Sequence, residues 1–205
     1  QYFIPPSNTK LLTFYAGLKV LPDSLPAIRY EQRGDSLIFW GTGDPSLLHT
    51  QLGNRKVLDF LAGTNKKLYL SHNRYKGEFY GKGWQWDDYN DYYQAEINEF
   101  PIADNLVDVK VERGVLKVSP KYFSLQLKAD STMLAEPFMI KRDFLKNEFR
   151  YSAINQPEGY QQKIPFKVNA EVAASILADT LKKSIELINL PMPAMAKTLR
   201  SVSIK

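Results

Sequence analysis

Between Arg74 and Tyr93 eight aromatic side chains (Tyr75, Phe79, Tyr80, Trp84, Trp86, Tyr89, Tyr92 and Tyr93) are set among glycines and aspartates with no steady period. Such a stretch makes neither an amphipathic helix nor a half-buried strand, so it reads as a structured loop that a rigid scaffold must hold. The flanking sequence supplies that scaffold. Residues Ser7 to Val20 read as a helix, with Pro5 and Pro6 before it, Leu11, Leu12, Tyr15, Leu18 and Leu21 at helical spacing, and Pro22 behind. Ile28–Glu31 and Ser36–Trp40 read as strands around a Gly34-Asp35 turn, followed by a helix over Arg55–Leu61 and a short strand over Lys67–Ser71. Past the loop, Leu106–Val111 and Val115–Val118 form a hairpin pattern around Arg113-Gly114, and strand-like segments run on to Ile154. Val168–Leu190 reads as a helix with Val172, Ile176, Leu177, Leu181, Ile185 and Ile188 on one face, and Ser201–Lys205 as the start of a strand or a linker. The fold class expected is α+β.

Composition narrows the chemistry. The 205 residues, 44% hydrophobic, suffice for one good core or two small ones. The net charge of +5 comes from 27 Lys and Arg against 22 Asp and Glu, but the basic residues are scattered, and the densest spots, Lys66-Lys67 and Lys182-Lys183, are pairs. Nucleic acid is therefore not an expected partner, whereas a mildly basic surface suits an acidic polymer such as the cell wall. The absence of cysteine excludes a thiolate nucleophile, a disulfide framework and a Cys-based zinc site. With His49 and His72 alone, a histidine metal cluster is not expected either. No stretch approaches the roughly 20 apolar residues of a membrane span. Gln1 opens directly into Tyr-Phe-Ile-Pro-Pro without a signal-peptide pattern.

The sharpest chemical motif is Ser7-Asn8-Thr9-Lys10. A serine and a lysine three apart lie on one helix face, with Cβ atoms about 5–6 Å apart. The hydroxyl also sits near the positive end of the helix dipole. A serine is a weak nucleophile until a neighbour takes its proton, and a desolvated lysine amine is able to do so. The same four letters also describe an N-cap serine followed by a surface lysine, and a chain of this length meets the pattern about once by chance.

The surroundings of the motif carry more. Phe3-Ile4-Pro5-Pro6-Ser7-Asn8-Thr9-Lys10-Leu11-Leu12-Thr13 resembles the nucleophile segment of the class C low-molecular-mass penicillin-binding proteins, the D-alanyl-D-alanine carboxypeptidase/endopeptidase family. Gly41-Thr42-Gly43-Asp44-Pro45-Ser46-Leu47 is similar to that family's Gly-x-Gly-Asp-Pro-x-Leu loop. Gly83-Trp84-Gln85-Trp86-Asp87-Asp88-Tyr89, with Tyr92-Tyr93-Gln94-Ala95, resembles its Gly-Trp-x-Trp-Asp-Asp signature. Asn105 with Val107 and Val109 resembles the asparagine-valine strand that follows, and Pro165-Phe166 with Ala178-Asp179-Thr180-Leu181 its later helix. The resemblance implies part of a serine penicillin-binding, β-lactamase-like domain with a largely β inserted region. Residues 1–25 would hold the nucleophile helix, 26–195 the inserted region with the aromatic loop 74–93, and 196–205 the start of the return to the penicillin-binding domain. It implies Ser7 as nucleophile and Lys10 as its proton acceptor, with Asp88 and Tyr93 meeting substrate from the inserted region. Stem peptides of peptidoglycan would be the substrate and β-lactams covalent inhibitors, in the bacterial periplasm or cell envelope, with no metal or organic cofactor.

Two elements that such enzymes need are missing. Ser71-His72-Asn73 matches a Ser-x-Asn triplet by letters but sits too early, inside the inserted region, and reads as a loop coincidence. Lys197-Thr198-Leu199 lacks the glycine of a Lys-Thr-Gly strand. The chain therefore reads as a piece that stops before the Ser-x-Asn helix. Asp44 before Pro45 reads as a turn former, and Asp87-Asp88 as a solvated turn rather than a metal pair. Trp84 and Trp86 are expected to turn inward and pack the loop while Asp88 points toward Ser7. Two other readings stand beside the enzyme: a non-catalytic peptidoglycan- or glycan-binding module using the aromatic loop, and an inactive structural member of the family.

Overall fold

The computed structural model describes residues 7–72, 74–133, 137–154 and 156–201. Three helices are described: α1 (Thr9–Val20), α2 (Lys56–Gly63) and α3 (Ala170–Leu181). The eleven strands are β1 (Pro26–Arg33), β2 (Ser36–Gly41), β3 (Lys67–Ser71), β4 (Leu106–Glu112), β5 (Val115–Ser119), β6 (Leu127–Asp130), β7 (Ile140–Arg142), β8 (Phe149–Ser152), β9 (Gln161–Pro165), β10 (Ile185–Ile188) and β11 (Lys197–Arg200). They form a five-stranded sheet in the order β10-β3-β2-β1-β11 and two three-stranded sheets, β5-β4-β9 and β6-β8-β7. The mixed α+β class is as expected.

The five-stranded sheet is built from a β1–β2 hairpin, a parallel β2–α2–β3 crossover, and β10, which returns parallel to β3 after the two smaller sheets and α3. Alternation along β2 covers both faces of the sheet. Leu37 and Phe39 join Val57, Leu58 and Leu61 of α2 and Ile176 and Leu177 of α3 in the main core. Ile38 and Trp40 face the other way and pack with Tyr69, Leu190 and Met192, and the Trp40 indole N–H donates to the Leu190 carbonyl at 2.8 Å.

The last helix is shorter than its periodicity suggested. α3 ends at Leu181, Lys182 turns left-handed (φ 54°), and Ile185–Ile188 forms strand β10 against β3. Leu181, Ile185 and Ile188 stand four and three apart, so an apolar strand continues the helical spacing by coincidence. The free edge of β3 and the Lys182-Lys183-Ser184 break decide the matter. At the other end of the chain, residues 197–200 pair antiparallel with β1, and residues 202–205 lie outside the described residues.

Gly41, in the segment that carried part of the family resemblance, is required by close packing. A Cβ there would overlap the Glu99 carbonyl oxygen and lie 2.8 Å from the Phe100 Cβ. The Arg74 guanidinium donates to the Gly41 carbonyl at 2.8 Å, and the Gly43 N–H to Glu99 O at 2.8 Å. Because the obstacle is backbone, Gly41→Ala is expected to cost roughly 3 kcal/mol, the upper end for overpacking. A lowered urea midpoint at unchanged slope checks it, and an unchanged midpoint refutes the packing argument.

Candidate active site

The chain enters α1 through a turn at Ser7 and Asn8. The Lys10 N–H donates to the Ser7 carbonyl at 3.1 Å, and the Leu11 N–H to the Asn8 carbonyl at 3.1 Å. Ser7 and Lys10 therefore stand one turn apart at the helix start. Both side chains are exposed, and α1 buries none of its residues. Leu11, Leu12, Phe14, Tyr15 and Val20 are all exposed. An apolar helix with no buried face is half of a packing interaction. Ser7 and Lys10 thus stand on an exposed helix start, and α1 buries no side chain among the described residues.

The aromatic loop, by contrast, is held on several sides. Its ends are joined by the Ile97 N–H donating to Phe79 O at 2.8 Å. Glu96, with a side chain only 4% exposed, accepts from the Lys167 ammonium at 2.6 Å, the Val168 N–H at 2.9 Å and the Tyr80 hydroxyl at 3.1 Å. Burial first, then the Glu96 charge, raises the Tyr80 phenol above its ordinary value. Gln94, also buried, donates to Gln85 O at 2.6 Å. Between these anchors Trp86–Asn90 winds into a single 3₁₀ turn, and a second one covers Tyr92–Gln94.

The two tryptophans differ from one another. Trp84 lies over Gly81 and against Tyr80, with ring centroids 6.1 Å apart, yet remains 42% exposed. Trp86 is 74% exposed and stands at right angles to Phe144, with ring centroids 6.4 Å apart. The turn gives Tyr89 and Asn90 to strand β7, which leaves Trp86 outside. Trp84 thus packs within the loop, on Gly81 and Tyr80, and only Trp86 stands outside it.

Asp88 and Tyr93 do come together. The Tyr93 hydroxyl donates to Asp91 Oδ2 at 3.3 Å and also faces the Asp88 carboxylate. The hydrogen bond to Asp88, then burial, then the charges of Asp88 and Asp91 push its phenol up to about 12. A nearby carboxylate disfavours the phenolate, so Tyr93 stays a protonated donor through the neutral and mildly alkaline range. Asp88→Asn is expected to bring Tyr93 back toward the ordinary value of about 10, read by ¹³Cζ tyrosine NMR titration. A Tyr93 titration that ignores the substitution would refute the contact. No hydrogen bond or ion pair among the described residues joins Asp88 or Tyr93 to Ser7 or Lys10: the pairs stand on different elements.

A family model described as D-Ala-D-Ala carboxypeptidase 3 (S13) matches residues 1–187. The chain belongs to that family. Among solved structures, this S13 chain is similar to penicillin binding protein 4 (dacB) from Haemophilus influenzae, with a TM-score of 0.60 and 17% identity over 97% of this chain and 51% of that one. It is also similar to the same Haemophilus influenzae protein complexed with a novel β-lactam, at TM-score 0.51 and 16% identity over 97% of this chain and 49% of that one. The chain thus spans about half the length of the solved proteins it matches. Nothing among curated proteins matches it.

Other motif residues of this S13 chain have structural partners. Ser71 ends β3 almost fully buried, its hydroxyl donating to Leu190 O at 2.7 Å and accepting from Leu190 N at 3.0 Å. That strand role agrees with reading Ser71-His72-Asn73 as a coincidence, though Asn73 lies outside the described residues. Lys197-Thr198-Leu199 lies in β11 against β1. Asp44 is a turn former, its Oδ1 accepting from the Ser46 N–H at 2.8 Å. Asn105 is buried and uses both ends of its amide, accepting from Ile102 N at 3.2 Å and donating to Glu96 O at 2.9 Å. His49 Nε2 lies 2.8 Å from Asp104 Oδ1, while its Nδ1 accepts from the Gln51 and Leu52 amides. Among the described residues no group of three or more His, Asp or Glu could hold a metal, and no helix is long and apolar enough to cross a membrane. A cleft of about 270 Å³ between β3, the aromatic loop and the start of α3, lined by Leu70, His72, Tyr75, Phe79, Glu99 and Glu171, takes in none of the four predicted site residues.

Proposed function

We propose that this chain is part of a serine D-alanyl-D-alanine carboxypeptidase/endopeptidase of the bacterial cell envelope that acts on peptidoglycan stem peptides. The single observation that carries the reading is the S13 family match over a stretch that includes Ser7-x-x-Lys10 at the start of α1. In the proposed reaction Lys10 Nζ takes the Ser7 hydroxyl proton as Ser7 Oγ attacks the D-Ala-D-Ala carbonyl carbon. Backbone N–H groups at the start of α1, that of Ser7 among them, stabilise the oxyanion. The C–N bond breaks, the departing D-alanine amine takes a proton, and the acyl group stays on Ser7. Water then releases the shortened peptide and restores the hydroxyl. A β-lactam follows the first half of this path and stays on the serine. Asp88, half-buried in the loop, offers its carboxylate to a cationic side chain of the stem peptide, and Tyr93, whose hydroxyl donates to Asp91, stands beside it.

The test is the position of the adduct. In the full-length parent, benzylpenicillin is expected to add its mass to the proteolytic peptide that contains Ser7. An adduct on another residue, or none, overturns the assignment.

The exposed rings also favour a second reading. Trp86 and Phe144, both exposed and set edge to face, offer an apolar surface on which a sugar could stack, as a glycan-binding module would. Retention on insoluble peptidoglycan that survives Ser7→Ala but is lost on Trp86→Ala would favour it.

A further inference from the structure

We propose that Asn90 is the residue that positions Asp88, its side-chain amide acting as a one-residue strand on the free edge of β7. The substrate role of Asp88 rests on the reading above; its placement by Asn90 does not. In the sheet β6-β8-β7 the last strand has a partner on one side only, and an unpaired strand edge offers a row of backbone donors and acceptors. Here side chains take them up. Asn90 Oδ1 accepts from Arg142 N at 2.9 Å while its Nδ2 donates to Ile140 O at 3.0 Å. The neighbouring Tyr89 hydroxyl donates to Arg142 O at 3.2 Å. Gln162 of β9 completes the edge, accepting from Ile140 N at 2.8 Å and donating to Ile140 O at 3.1 Å. Every backbone polar group of Ile140 and Arg142 thus has a side-chain partner, and the loop supplies three of those five bonds.

The anchor is stiff on the strand side. The Arg142 side chain is buried, its guanidinium 5.3 Å from the Tyr89 ring centroid, and Nη1 donates to the carbonyls of Asp143, Phe144 and Lys146. Asp88 lies two residues before Asn90 in the same turn, and the Asp91 N–H donates to Asp88 O at 2.8 Å. At three residues per turn, side chains two apart diverge by about 120°. Holding Asn90 against β7 therefore holds Asp88 away from the sheet, while Gln94 fixes the other end of the turn through Gln85. The position requires one donor and one acceptor on a short stem. Aspartate would set a carboxylate oxygen against the Ile140 carbonyl, and alanine would leave both β7 groups without that partner.

Tyr93 reports on where Asp88 sits, because its elevated titration depends first on that carboxylate. In the full-length parent, Asn90→Ala is expected to move the Tyr93 ¹³Cζ titration down toward that of Asp88→Asn, with circular dichroism unchanged. In the same proteins, turnover of a stem peptide carrying a free side-chain ammonium should fall about tenfold in kcat/KM, chiefly through KM. Acylation by benzylpenicillin, which has no such cation, should stay within about twofold. Asn90→Ala added to Asp88→Asn should cause no further loss, as expected when one residue acts through the other. A Tyr93 titration unmoved by Asn90→Ala overturns the proposal. So does an equal loss of penicillin acylation and peptide turnover, which would make Asn90 a residue of general folding only. If Tyr93 moves but Asp88→Asn leaves peptide turnover intact, the positioning stands and the substrate role of Asp88 falls.

Discussion

Replacing Ser7 by alanine in the full-length parent is expected to abolish penicillin labelling and to lower D-alanine release by about 10⁴-fold or more. The size follows from covalent catalysis: with no hydroxyl, neither the acyl-enzyme nor the route through it exists, and what remains is binding and oxyanion stabilisation. Lys10→Ala should cost a similar amount, because nucleophile and base act as one unit and their losses do not add. Combining the two should therefore leave about the same residual rate as either alone. Parent protein labelled at the normal rate after Ser7→Ala would remove Ser7 from the chemistry and leave the exposed aromatic surface as the better clue to function. Near-ultraviolet circular dichroism checks that both proteins fold as the parent does.

The second large effect concerns these 205 residues by themselves. An isolated chain is expected to acylate with benzylpenicillin at least about 10³-fold more slowly than the full-length parent and to release no measurable D-alanine. Positioning contributes roughly 7–11 kcal/mol to a well-organised reaction, and losing about 4 kcal/mol of it already slows the step about 10³-fold. Two features point to a loss of that size. Lys10 is exposed on α1, so no buried contact holds its amine against the Ser7 hydroxyl. Among the described residues α1 also buries none of its side chains, so no packing there fixes its orientation. Stopped-flow labelling with a fluorescent penicillin measures the difference. Equal rates for chain and parent would mean that the residues completing the site lie within these 205.

Much of the framework was legible in the residues themselves. Lys67–Ser71 and the Leu106–Val118 hairpin emerged as strands because alternating burial leaves a period of two whatever lies across the sheet. α1 and α2 were readable from helical spacing, although α1 buries none of its residues. The segment 168–190 shows where period fails: residues 181, 185 and 188 suit a helix and a strand equally, and the open edge of β3 made the choice. The aromatic loop was recognisable as a loop, but not which rings it would bury. Trp86 is outside because Tyr89 and Asn90 find β7, about fifty residues further along the chain.

Ser7, Lys10, Asp88 and Tyr93 were likewise proposed from local order and family resemblance, since a Ser-x-x-Lys at helical spacing and a Trp-x-Trp-Asp-Asp run are written in consecutive residues. Glu96, Gln94, Asn90 and Arg142 were not, because a polar residue in a polar stretch carries no sign of burial. What makes them matter is distance in sequence turned into contact: Glu96 with Lys167 and Val168, Asn90 with Ile140 and Arg142. Sequence determined most of the elements, through periodicities that each segment carries alone. Tertiary structure decided which polar groups are buried and what they hold in place, because a hydrogen bond across a fold depends on both partners and neither one encodes it.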